Sequence, residues 1–407
     1  MLDFLIGYIL IICGLAFINL RWATILYLIY FFLVPFLKLP IGGFELSYNF
    51  VNLVFLVALV FYILKKGRKL SFSIISPFLW YFGLFLLLIP FQEYTPYSYQ
   101  LSYWRAILMG TITLPLIIWN VCQYESKAII QFRCVLLIIM FVICIYGLYL
   151  TKFSGFNPYV VYVKSLNGIQ FDSAYISEYD SGRLFGHISS VFGHPMVFGL
   201  FLGLALIYSI SRFFRCRNYL YITIIALVVV NFFTCGVRSS IGAIFIVVAY
   251  YLIVNRKLKI FICLGAIFAC FYLIIMRIPY IKDYLSTIFD FNSSSSQMSG
   301  SSAEMRFEQL EGCFKEVSKC PIQGKGYGWT AYYGETYGAH PTILGFESLL
   351  FIIICDSGIL GFIIWGITIK KWLKNIKQIC KDKEIIIFSI CLFIFYLSYS
   401  CITGEYD

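Results

Sequence analysis

The chain has 407 residues, of which 61% are apolar and 20% aromatic, with a formal net charge of +11 and a mean hydropathy of +0.86. Those proportions lie outside the soluble globular range and describe an all-α polytopic membrane protein. The positive charge does not call for nucleic acid as a partner, because it gathers in short clusters beside apolar runs, where anionic membrane lipids account for it.

An apolar run of roughly 16 to 24 residues crosses about 30 Å of hydrocarbon as a helix. Such runs recur at about 2–17, 23–38, 48–64, 74–91, 105–121, 130–150, 190–211, 219–234, 241–254, 259–276, 346–369 and 384–403, which predicts about twelve transmembrane helices. The first run lacks a basic start and a small-residue cleavage site, so it is expected to stay as a helix. The chain divides into helices over 1–150, a loop over 151–189, helices over 190–276, a large polar loop over 277–345 and the closing helices over 346–407. Lys and Arg cluster at 65–69, 212–217, 256–259 and 370–383. A twelve-helix count puts all four clusters on one side, which the charge bias of membrane proteins makes cytoplasmic. Both termini and both long loops then lie outside.

The large loop carries the chemistry. Asn292 to Ser302 is a Ser-rich tether whose last serines suit a helix cap. From Ala303 to Ser318, Leu310, Phe314 and Val317 fall on one face of an expected amphipathic helix. Arg306 sits near its start, where a cation opposes the helix dipole and invites an anionic partner; Glu304 and Glu308 offer an ordinary ion pair instead. Cys313 and Cys320 fall in this outside loop, and the sequence leaves open a disulfide or two free thiols. The segment Pro321–Gly328 alternates Gly324, Gly326 and Gly328 around Lys325 and Tyr327, a backbone free to turn tightly or to approach a ligand. It has neither a dinucleotide-binding setting nor a Gly-Lys-Ser/Thr phosphate loop, so nucleotide hydrolysis is not expected. Tyr327, Trp329, Tyr332, Tyr333 and Tyr337 suit either stacking on sugars or an interfacial aromatic belt.

Charged groups at the bilayer edge mark functional sites by default. Arg183 lies in a Gly-Arg-Leu-Phe-Gly run that leads to His194-Pro195, and Arg238 lies in the short turn between two apolar runs. With Arg306 they give three guanidinium groups on one face, and this planar fork binds phosphate oxygens bidentately without losing its charge.

In their order, these pieces resemble the O-antigen polymerase and O-antigen ligase family, membrane glycosyltransferases of the GT-C class. The similarity runs over about residues 180–370. It rests on Gly182–Gly186 with His194-Pro195, Thr234 through Arg238, Arg306, the Gly324–Gly328 loop, Glu347 and Asp356-Ser357-Gly358. The resemblance implies a metal-independent transferase without cofactor, in the bacterial cytoplasmic membrane, that takes glycan from an undecaprenyl diphosphate carrier at the outer face. A flippase and a chain-length regulator of the same pathway are its implied partners. Arg183, Arg238 and Arg306 would hold the diphosphate, with Gly324, Gly326, Tyr327 and His194 as further contacts. The ligase branch has a presumed histidine base where this chain has Glu347, a carboxylate that leans towards polymerase. His340 keeps ligase open as the alternative.

The residues suit that chemistry. The anomeric carbon is already activated by its diphosphate, so the protein must hold the leaving group, stabilise its charge and take a proton from the attacking hydroxyl. Direct displacement inverts the centre and needs one base, not a carboxylate pair. A transporter or flippase, the reading from another class, predicts charges spread along a path and helices broken in both halves. Here the charges gather at one face.

Overall fold

The computed structural model describes residues 2–33, 39–41, 44–152, 157–166, 188–256 and 303–403. The Ser-rich tether, the apolar run 259–276 and Arg183 lie outside them. Eleven described helices run back and forth across a bundle: α1 Leu2–Ile18, α2 Leu20–Leu33, α3 Tyr48–Lys65, α4 Ser76–Leu88, α5 Tyr97–Tyr124, α6 Ala128–Leu150, α8 Pro195–Cys216, α9 Leu220–Cys235, α10 Arg238–Val254, α13 Leu349–Ile379 and α14 Lys383–Thr403. Between them lie the short helices α7 Pro158–Leu166, α11 Ala303–Glu316 and α12 Trp329–Tyr337. A small antiparallel hairpin pairs Leu39–Ile41 with Phe44–Leu46. Six of the described helices are long and apolar enough to span a membrane alone, and five shorter apolar helices run beside them. The chain is an all-α polytopic membrane protein.

Several boundaries differ from expectation, each for a physical reason. Helix α5 starts at Tyr97 rather than near 105, because its polar first turns are held by contacts with the large loop and not by lipid. Helix α13 runs on to Ile379, its last turns carrying the basic cluster. Neither α7 nor α12 is legible as a membrane-crossing apolar run, since each is only nine residues long.

Side-chain contacts sort the helix termini into two ends. At one end Arg215 at the close of α8 pairs with Asp382 at 2.8 Å, Asn375 donates to the Ser73 carbonyl at 2.6 Å, and Arg21 pairs with Glu125 at 3.0 Å. The clusters at 65–69, 212–217 and 370–383 share this basic end. At the opposite end the Cys235 thiol meets the Pro195 carbonyl at 3.3 Å. There Tyr399 donates to Met196 at 2.6 Å and Ser348 donates to the Cys401 carbonyl at 2.5 Å. His194, the backbone of Arg238 and the start of α13 therefore lie at one end of the molecule.

The main core joins α1–α3, α5, α6, α8–α10 and α14, with Tyr27, Phe55, Phe198, Phe395 and Tyr399 fully buried. Close helix contact in lipid depends on small residues. At Gly203 of α8 a Cβ would lie 1.8 Å from the Phe395 ring of α14. Gly203→Leu is expected to separate these helices and strongly reduce monodisperse protein recovered in detergent, measured by size-exclusion chromatography. A leucine at Gly242, where a Cβ meets nothing within 4 Å, should leave recovery unchanged.

Candidate active site

Helix α11 lies over α13 through one stripe: Gln309, Cys313 and Val317 are buried and Leu310 is partly so. Phe314, expected on that face, is 58% exposed, because the buried line follows positions 309, 313 and 317, one step round from it. Cys313 and Cys320 are free thiols. Cys313 is turned towards Cys355 of α13, and Cys320 sits in the turn that follows the helix.

Arg306 belongs to the same side of α11 and meets Glu347. Its guanidinium donates through Nη2 to Glu347 Oε2 at 3.0 Å, and through Nη1 to the Glu347 carbonyl at 2.6 Å and to Gln309 Oε1 at 3.2 Å. Burial lowers the Arg306 pKa and the Glu347 carboxylate opposes that shift; a guanidinium so placed keeps its charge. Glu347 is the more exposed partner, its side chain 40% accessible against 24% for Arg306. Next to it Ser348 caps α13, its hydroxyl accepting from the Leu350 amide at 3.2 Å.

The backbone that delivers Glu347 is strained. Leu344 and Phe346 both have positive φ, 58° and 53°, a conformation that costs of order 1–3 kcal/mol per non-glycine residue and persists where surroundings over-determine it. His340 supplies that constraint. Its Nδ1 accepts from the Thr342 and Ile343 amides at 3.2 and 3.1 Å, and its backbone pairs with Leu344 in both directions. With Nδ1 accepting, the proton is on Nε2, which faces Glu316 at 3.3 Å. The ring is 4% exposed and packs on Tyr333 and Phe346 at centroid distances of 4.9 and 5.7 Å.

The Gly324–Gly328 segment approaches the chain's own backbone. Helix α13 is broken at Gly358 (φ 55°, ψ −146°), so the carbonyls of Cys355 and Asp356 and the amides of Ile359 and Leu360 lose helical partners. The loop replaces all four. Lys325 and Gly326 amides donate to Cys355 and Asp356, while Ile359 and Leu360 donate to Pro321 and Ile322, at 2.8–3.1 Å. The Asp356 carboxylate then accepts from the Gly328 and Thr330 amides at 3.0 and 2.8 Å. The Gln92 and Gln100 side chains both accept from the Tyr327 amide at 3.0 Å. Gly326 has φ 142° and a Cβ there would sit 2.4 Å from Thr95 Oγ1, so the position requires glycine. Gly324 is packed against the Asp356–Ser357 peptide. Tyr327 is buried against Phe85 and Tyr103, and burial drives its hydroxyl pKa well up. The sequence expectation that these residues touch a ligand meets a loop that docks a broken helix.

Of the other expected site residues, Arg238 is the first residue of α10. His194 caps α8 with Nδ1 accepting from the Met196 amide at 3.2 Å. Glu316, Lys325, Gln92, Gln100 and Asp356 were not among the expected site residues. Asp356 was detectable, as a lone acid inside an apolar run.

Glu316 joins Lys325 and His340. Burial raises its carboxyl pKa, but the Lys325 and His340 contacts outweigh this and bring it below the ordinary value of 4.5. Stability from this contact is present above 4.5 and is lost as pH falls through the lower, folded-state value. Acid titration is therefore expected to expose Cys320, which is 2% accessible at rest, below pH 4.5 and not above it. The rate at which a pyridyl disulfide, which reacts with thiols in acid, labels Cys320 at each pH, with the site assigned by peptide mass mapping, would measure this.

Residues 222–366 match the family described as O-Antigen ligase. The chain carries an O-antigen ligase family domain. The matched stretch runs from α9 through Arg238, Arg306, the docked loop and Glu347 to α13, so it holds the ion pair just described. The match covers about a third of the chain and supports the O-antigen ligase and polymerase family of membrane enzymes. No curated protein and no solved structure matches the chain.

Proposed function

We propose that the protein is a polysaccharide polymerase of O-antigen or capsule type, which moves glycan from an undecaprenyl diphosphate carrier to a sugar hydroxyl of another lipid-linked repeat unit. The observation that carries this reading is the Arg306–Glu347 pair: a phosphate-binding fork and a carboxylate base at one point, at the end of the bundle opposite the basic clusters. The charge bias of those clusters makes their end cytoplasmic and the site exterior or periplasmic, in the bacterial cytoplasmic membrane.

In the reaction, Arg306 with Arg238 and Arg183 holds the diphosphate. The incoming diphosphate competes with Glu347 for the Arg306 fork, and its arrival releases the carboxylate. Glu347 then takes the proton of the acceptor hydroxyl as the oxygen bonds to the anomeric carbon. The bond from that carbon to phosphate oxygen breaks, its electron pair leaves on the carrier diphosphate, and the centre inverts. The carboxylate accessibility of Glu347 supports it as the base. The two engaged nitrogens of His340 support a positioning role for that residue, as the cap of the turn that presents Glu347.

Deletion of the gene tests polymerase against ligase on a gel of surface glycan. A lost ladder with one repeat unit still attached is the expected result; loss of all attached glycan assigns the ligase reaction instead.

A further inference from the structure

Towards the far end of α11 from Arg306, the loop and the α4–α5 connection line an open groove of about 500 Å³ with Glu93, Tyr94, Glu316, Lys325, Trp329, Tyr332, Tyr333 and Tyr337. Its floor is polar. Lys325 is paired with Glu316 and lies over the Trp329 ring, 4.4 Å from its centroid, and 5.7 Å from that of Tyr94. Its rim is aromatic: Tyr94 and Tyr337 are 47% and 67% exposed, and Tyr337 packs on Tyr333 at 5.1 Å.

We infer that this groove is a second glycan-binding site, separate from the reacting bond, which holds a neutral or amino-sugar stretch of the chain being handled. The inference rests on the proposed polymerase reading only for the identity of the glycan. A sugar has an apolar face of C–H groups and an edge of hydroxyls. Rings that border a carboxylate and an ammonium match both, as pockets with aromatic walls and a few placed polar groups do. The lining acids Glu93 and Glu316 outnumber Lys325, which disfavours polyacidic glycans. Position supports a remote role: Glu316 lies ten residues along α11 from Arg306, about 15 Å at 1.5 Å per residue. A glycan whose carrier end sits at Arg306 therefore reaches the groove with sugars distant from the bond under attack.

The test uses the full chain in detergent and the repeat-unit oligosaccharide freed by mild acid from the host's own lipid-linked pool. Saturation-transfer NMR is expected to show saturable binding to the parent protein. The double variant Tyr94→Ala/Tyr337→Ala should weaken it about tenfold or more, whereas Tyr219→Ala, an exposed aromatic at the basic end, should not. In cells the double variant should shift the surface ladder towards short chains. Glu347→Gln should keep oligosaccharide binding while losing the ladder, so failure of the catalytic reading and failure of the groove give different results. Absence of saturable binding to the parent, or equal binding by the double variant, overturns the inference. So does unchanged oligosaccharide binding with reduced vesicle association, which would make the rings a headgroup belt.

Discussion

Glu347→Gln is expected to stop polymer formation, with lipid-linked repeat units accumulating and the protein still inserted and folded. Glutamine keeps the size and one acceptor oxygen, so it still accepts from the Arg306 fork that meets Glu347 at 3.0 Å. It cannot take a proton. Loss of a general base lowers turnover by about 10²–10⁴-fold, enough to erase a ladder built from many successive transfers. Arg306→Lys provides the complementary arm. Lysine keeps the charge but loses the planar fork, which bonds the Glu347 carbonyl, the carboxylate and Gln309 together. It should weaken donor use, seen as a raised requirement for lipid-linked donor in membrane extracts, while Arg238→Ala should abolish the ladder. Long-chain polysaccharide unchanged in Glu347→Gln would reject the assignment of the base.

Much of this arrangement is legible in the sequence because its signals are local. Apolar run lengths give the helices, basic clusters sort their ends, Arg306 stands out as a cation at the start of an amphipathic helix in the polar loop, and Glu347 as a charge at the boundary of an apolar stretch. Their pairing is different. They are 41 residues apart, and only the packing of Gln309, Cys313 and Val317 against α13 brings them together. The glycine loop misleads for a related reason. Alternating glycines report that something approaches the backbone closely, without saying what; here it is the broken end of α13 and Thr95. The same ambiguity covers His340. Its sequence position suits a base, while its ring nitrogens are committed to a turn and to Glu316.

The docked loop leads to the second large effect, expected at a residue that touches no substrate. Asp356→Ala should collapse the outer assembly and leave little folded protein. Asp356 is 6% exposed and its carboxylate receives the Gly328 and Thr330 amides; alanine leaves two buried donors without partners, at roughly 1–3 kcal/mol each. That is a large share of a marginal stability of about 5–15 kcal/mol. The loss also spreads, because the loop that Asp356 holds is the one that satisfies the carbonyls and amides freed by the break at Gly358. In a membrane those groups have no water to turn to. Asp356→Asn keeps one acceptor oxygen and should fall between, with lowered thermal stability in detergent but recoverable protein. A normal melting profile for Asp356→Ala would mean that the broken helix is held by other contacts, and that the loop could leave α13 without cost, so its glycines would again be open to a ligand.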